Sequence, residues 1–183
     1  MRATVNEYTP QCAANMASVA PLPRRSVVAW LVAFGVALLV TSACVLAPVA
    51  AGSNNPLLSE VIYRGFSHLC HQTPERSFQV DAHPFAVCAR CFGLYAGFAA
   101  GVMLYPLVRS LGKRDTPARA WLIIAAVPTT VDFALGFFGI WENTHFSRSL
   151  TGALLGIVAA FYVVPGLVDV SQTNWRSRFM KDS

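Results

Sequence analysis

Apolar residues dominate four stretches of the chain, 27–49, 88–108, 118–140 and 150–170, with short polar segments between them. A helix needs about 20 mostly apolar residues to cross the hydrocarbon core of a bilayer, and each stretch has that length. A different pattern begins at Asn55-Pro56. There Leu58, Ile62, Phe66 and Leu69 recur at helical spacing among polar residues. This predicts an amphipathic helix lying along the membrane surface. Gln72-Thr73-Pro74 should end it, with His68, Cys70 and His71 in its last turn. The expected fold is an all-α integral membrane protein. Four transmembrane helices occupy 26–170, the loop 50–87 carries the interfacial helix, and 1–25 and 171–183 are tails.

Composition agrees. Only 13% of the 183 residues are charged, against roughly 25% in a soluble domain, so lipid is the expected solvent. The net charge of +5 does not indicate nucleic acid, because the basic residues sit in short clusters between apolar runs. No phosphate loop, dinucleotide fingerprint or basic-aromatic interleaving accompanies them. Arg24-Arg25, an apolar core and Ala50-Ala51 also resemble a secretory signal. The run is longer than a typical signal core, which favours a retained span. Thr41 to Cys44 makes a poor lipoprotein box. Either way the following loop ends outside.

Ten Lys and Arg residues fall on one side of the predicted topology: Arg2, Arg24, Arg25, Arg109, Lys113, Arg114, Arg119, Arg176, Arg178 and Lys181. Four fall on the other: Arg64, Arg76, Arg90 and Arg148. Positive charge marks the cytoplasmic side. Both termini are therefore expected in the cytoplasm of a cell (inner) membrane protein, with loops 50–87 and 141–149 outside. His68, His71, His83, His145, Cys70, Cys88 and Cys91 all collect on that outer side.

Glycines suggest how the spans pack. Gly93, Gly97 and Gly101 share one face of the second span, and Gly152 and Gly156 one face of the fourth. Small residues at this spacing let backbones approach closely in lipid, so these two spans should touch. Pro128 should bend the third span, with Thr129 and Thr130 satisfying freed carbonyls.

Cys88-x-x-Cys91 can turn two sulfurs toward one point. Cys70 and one histidine would complete the four nitrogen and sulfur ligands of tetrahedral zinc, and copper or iron stays open. His71 is the first choice for that histidine, with His68 or His83 as alternatives. Two other readings compete. The Cys-x-x-Cys pair resembles quinone-linked thiol oxidases, whose second cysteine pair is not evident here. A structural disulfide from Cys70 is the third.

Asp132 lies about 12 Å below Ile140 at ~1.5 Å per residue. A bare carboxylate there costs on the order of 2.5–3.5 kcal/mol, so it must face the bundle or pair, with Arg90 and Arg148 as natural partners. Alternatively Asp132 or Glu142 serves as acid or base in a polar pocket. Arg76, Arg90 and Arg148 would then bind an anionic group such as a lipid phosphate or carboxylate. Glu75 reads as a solvated loop residue, and Gln72, Ser77 and Phe78 as loop-shaping residues.

The string Cys70-His71-Gln72-x-Pro74-x-Arg76-Ser77-Phe78, followed by Cys88-x-Arg90-Cys91-x-Gly93-x-Tyr95-x-Gly97, resembles the prokaryotic membrane proteins grouped as domain of unknown function 2085. The resemblance spans roughly 58–168. Arg148-x-x-Thr151-Gly152 fits the same pattern. Asp132-Phe133 keeps the acid of an Asp-Gly pair and lacks the glycine, and the glutamine expected a few residues later is absent. The resemblance implies architecture and site candidates rather than a reaction.

Three roles remain open on sequence. The chain is a membrane-embedded metalloenzyme acting on an anionic, lipid-like or extracytoplasmic substrate, an extracytoplasmic thiol-disulfide oxidoreductase, or a non-catalytic scaffold or carrier stabilised by metal or disulfide. Its partner is the lipid bilayer, and homo-oligomerisation stays open. Four spans without an inverted repeat argue against a monomeric transporter.

Overall fold

The computed structural model describes residues 24–53, 55–112 and 115–172. Arg2, Lys113, Arg114, Arg176, Arg178 and Lys181, and most of both tails, lie outside the described residues. In chain order the elements are α1 (Arg24–Gly52), α2 (Pro56–Ser67), a 3₁₀ turn (Pro74–Arg76), β1 (Gln79–Val80), β2 (His83–Pro84), α3 (Ala89–Val108), α4 (Ala120–Phe137) and α5 (His145–Gln172). Among the described residues, α1, α3, α4 and α5 are long and apolar enough to cross a membrane. Their outward faces carry exposed Leu39, Leu107, Ile123 and Leu154, a surface that lipid accepts and water does not.

The closest packing is between α3 and α5, along the glycine faces. A Cβ on Gly93 or Gly97 would strike the backbone of Ser149 or Ala153, and one on Gly152 or Gly156 that of Arg90 or Leu94. The expected contact is therefore present, in both directions. Around it, α1 packs on α3 and α5, while α4 packs on α5.

Prolines inside the spans create docking points. Pro106 has no N–H to offer the carbonyl of Val102, four residues earlier. The indole Nε1 of Trp30 on α1 donates to that carbonyl instead, at 2.7 Å. Pro48 likewise frees the carbonyl of Cys44, which accepts the N–H of Ala86 at 3.2 Å. That bond ties the loop before α3 to α1. On α4, Thr130 bonds the Ala126 carbonyl at 2.9 Å. Thr129 does not serve its own helix. It crosses to the Thr151 carbonyl on α5, also at 2.9 Å.

Two boundaries differ from expectation. α5 begins at His145 rather than near residue 150, because the Thr144 hydroxyl accepts the N–H of Ser147 at 3.1 Å and caps the helix. Arg148 thus stands on a helix. α2 ends at Ser67, so His68, Cys70 and His71 lie beyond it. The N–H groups of Leu69 and Cys70 both close on the Phe66 carbonyl, and Gln72 takes a φ of 51°. The α2 face is narrower than its pattern suggested. Phe66 is buried and Ile62 half-buried, but Leu58 and Leu69 are exposed. Ser59 fixes the helix to the end of α1 by donating to the Ala47 carbonyl at 3.0 Å.

The return segment holds a small hairpin that polar composition did not reveal. Gln79 pairs with Pro84 and Val80 with His83, antiparallel. Asp81 and Ala82 turn between them at φ 49° and 64°, as a two-residue hairpin of this twist requires.

Candidate metal centre and its cavity

Three features bring Cys70 to the start of α3. Gln72, in its left-handed conformation, donates through Nε2 to the carbonyls of Tyr63 at 2.7 Å and Ala86 at 2.8 Å. Tyr63 donates to the Pro84 carbonyl. The Ala86–Cys44 bond holds the other side. The chain thereby folds Cys70 inward, and the N–H of Cys88 donates to its sulfur at 3.3 Å. Cys88 is the N-cap of α3 and Cys91 lies in its first turn.

The sulfurs of Cys70, Cys88 and Cys91 all lie within 4.8 Å of one another. Cys70 is buried, and the other two are half-buried. Among the described residues this is the group close enough to share one ion, and no histidine belongs to it. His68 and His71 are exposed, although His71 lines the cavity onto which the triad opens. His83 pairs with Val80 in the hairpin. His145 stacks obliquely on Phe78, 5.7 Å between centroids, and its Nε2 lies 3.1 Å from the Glu75 carbonyl oxygen.

The sequence gives no sign that Cys44 belongs with the others, since it reads only as part of a poor lipoprotein box, yet it is fully buried in the same apolar cluster as Cys70, Phe66 and Val87, against which Cys88 and Cys91 pack. Its thiol donates to the Val40 carbonyl at 3.2 Å. No spacing could have found it, because 26 positions (44 to 70) separate it from its nearest cysteine neighbour in the chain. All four described cysteines are free thiols.

The Cys88 thiol is brought down to about 5, chiefly by the Cys91 thiol beside it. The Cys91 and Arg90 amides and the Cys70 thiol add to this, against burial. Amides at a helix N-terminus favour a thiolate in this way.

The triad opens onto a cavity of about 410 Å³, whose wall includes Arg76, Arg90, Arg148, Gln72 and Asn143 together with Phe133 and Phe137. Arg90 forms an ion pair with Asp132, whose side chain is only 11% exposed. The other carboxylate oxygen of Asp132 accepts from the Ser147 hydroxyl at 3.1 Å, and Asn143 donates to its main-chain carbonyl. The Arg90 guanidinium also lies over the Phe133 ring, 5.7 Å from its centroid. Of the four charged candidates, Arg76, Arg90 and Arg148 therefore face one space, and Asp132 stands behind Arg90. Glu142 and Glu75 are exposed and do not line it.

A second cavity of about 710 Å³ is almost wholly apolar. It runs between α1, α3 and α5 from Val40 and Tyr95 to Ala29 and Leu167. Tyr95 also lies within electrostatic range of Cys91, Cys44, Cys70 and Cys88.

No solved structure matches the chain. Relatives are found by sequence. "Uncharacterized protein MJ1492" of Methanocaldococcus jannaschii is 39% identical over 108 residues, 59% of this chain and 69% of that protein. An "Uncharacterized protein" of Methanothermobacter thermautotrophicus is 34% identical over 93 residues, 50% of this chain and 81% of that one. The profile of the family described as "Predicted membrane protein (DUF2085)" matches residues 70–162, from the first sulfur of the triad into α5. With half its length matched and its four long apolar helices, the chain belongs to the DUF2085 family of membrane proteins.

Proposed function

We propose that Cys70, Cys88 and Cys91 hold a metal ion at the outer membrane interface, and that the ion serves chemistry in the adjoining Arg/Asp-lined cavity. The convergence of three sulfurs within 4.8 Å carries this reading. Zinc-sulfur bonds of ~2.3 Å place sulfurs about 3.8 Å apart in a tetrahedron, so a small contraction suffices. Thiolate donors favour zinc, and copper(I) or an iron centre would accept the same set. With three sulfurs bound, a fourth ligand would come from His71, which lines the same cavity, or from water or substrate, as in catalytic rather than structural zinc sites.

In that case the bound ion would act as a Lewis acid. Arg148 and Arg76 would orient an extracytoplasmic substrate beside it, and Asp132 would hold Arg90 in place. The bias of Lys and Arg toward the opposite ends of the spans supports an outward-facing site with cytoplasmic termini. Metal analysis of the purified protein, with thiol counting before and after chelation, tests the reading. About one zinc per chain and about three thiols released by the chelator are expected. A metal-free protein whose thiols react fully without chelator would overturn it.

One observation favours a second reading. Cys44 lies in the cluster that holds Cys70, and the two would make the second thiol pair that an oxidoreductase needs, while Tyr95 links that cluster to the apolar groove. Cys88 and Cys91 would form a disulfide, passing two electrons and two protons to a quinone-class acceptor, which becomes the hydroquinone. Quinone reduction dependent on Cys88 and Cys91 would establish this reading.

A further inference from the structure

We propose that the cavity beside the sulfur triad receives an anionic amphiphile, with Arg148, assisted by Arg76, holding an oxyanionic head and the aromatic lip of α4 holding the first part of its tail. This names the ligand class for the cavity proposed above as the substrate site, and it does not require the triad to hold a metal.

The charges around the cavity are unequal in their commitments. Arg90 is engaged by Asp132 and Phe133. Both carboxylate oxygens of Asp132 are engaged, one by Arg90 and the other by Ser147, and Arg148 feels this carboxylate only at longer range. Arg148 and Arg76 form no ion pair among the described residues. Arg148 nevertheless lies within electrostatic range of both other guanidiniums. Cations gathered in a partly apolar wall repel one another, and a bound oxyanion relieves that repulsion while accepting paired N–H donors from a planar fork. A divalent ion on three thiolates would carry a single net negative charge and leave the wall positive.

Shape adds the second half of the ligand. The volume of about 410 Å³ falls within the ~300–1,000 Å³ of small-molecule sites. A free inorganic anion needs no apolar lip, yet Leu69, Phe133 and Phe137 line this cavity and are 66%, 53% and 73% exposed. Phe133 and Phe137 stack on each other at 5.9 Å on α4, a helix whose outward face is apolar. Head and tail thus have separate places, one among cations at the helix ends and one toward lipid.

The test titrates the purified full chain, in a non-ionic maltoside detergent, with dodecyl phosphate, dodecanol and inorganic phosphate, following binding by calorimetry before and after chelation. Dodecyl phosphate should bind at one site per chain. Arg148→Gln should weaken it at least about tenfold, Arg76→Gln by a smaller factor, and Arg148→Lys should restore part of the loss. Arg109→Gln, at the far end of α3, should bind as the unaltered chain does. Equal affinity in Arg148→Gln would overturn the proposal, as would dodecanol binding as tightly as dodecyl phosphate. Inorganic phosphate binding as tightly would overturn the amphiphile and leave a free oxyanion. Binding that survives chelation supports the head site even where no metal is found, so the two readings fail separately.

Discussion

The main-chain N–H of Cys88 points at the sulfur of Cys70, 3.3 Å away. One end of this contact is the cap of the long apolar helix α3, and the other is a residue folded inward just after the short helix α2. The loop between them is held by Gln72 and by a carbonyl that Pro48 leaves free. The triad therefore forms only when α1, α2 and α3 are all in place.

The ionisation of Cys88 gives a pH test. Its thiol lies at about 5 rather than the ordinary 9.0, so in metal-free protein it should be a thiolate at neutral pH. Alkylation of Cys88, followed by mass spectrometry, should stay nearly flat from pH 8 to 6 and halve near pH 5. An ordinary thiol slows about tenfold per unit over that range, and that behaviour at Cys88 would refute the assignment. The sign for stability follows. For this thiol the stabilising contribution grows as pH rises from about 5 toward 9 and is lost as pH falls below about 5.

The two readings of the site separate at Cys44. If the triad holds the metal, Cys44→Ser should retain about one ion per chain, whereas Cys91→Ser should lose it. If the protein instead exchanges disulfides, Cys44→Ser should stop turnover with a quinone while leaving Cys70, Cys88 and Cys91 countable.

The Arg90–Asp132 pair is shielded, with side-chain exposures of 23% and 11%. Removing one partner leaves the other charge without compensation, at a cost of roughly 3–5 kcal/mol. Asp132→Asn and Arg90→Gln should each lower thermal stability in detergent. The double variant should be less damaged than the sum of the two, and strict additivity would show that the pair is not coupled.

Glycines on the α3–α5 face should tolerate no methyl group. Gly97→Ala and Gly156→Ala meet backbone atoms of the facing helix, and overpacking of this kind costs about 1–3 kcal/mol or more. Gly166→Ala, with nothing within 4 Å of the added carbon, should melt no lower than the unaltered chain. Equal melting of all three would mean that the helices do not meet here.

Several features are legible in the sequence itself. Hydrophobic length located four long apolar helices, because crossing a bilayer imposes a single strong requirement. Glycine spacing named the face on which α3 and α5 meet, because in lipid only small side chains allow that approach. Asp132 announced a partner, since an unpaired carboxylate in an apolar stretch is costly, and Arg90 was among those named. The hairpin at Asp81-Ala82 left too short a pattern to detect, and the start of α5 hung on a single Thr144 cap.

The chain by itself determined that this is a membrane protein with thiols and imidazoles collected at one end of its spans, since composition and periodicity are local and cumulative. Only the tertiary structure decided which of those groups meet. It brought Cys70 to Cys88 and Cys91, left the histidines outside the triad, and added Cys44 from a distant helix. It also divided the arginines, committing Arg90 to Asp132 and leaving Arg148 facing the cavity. Convergence of this kind depends on loop closure and helix register, which no short window of sequence contains.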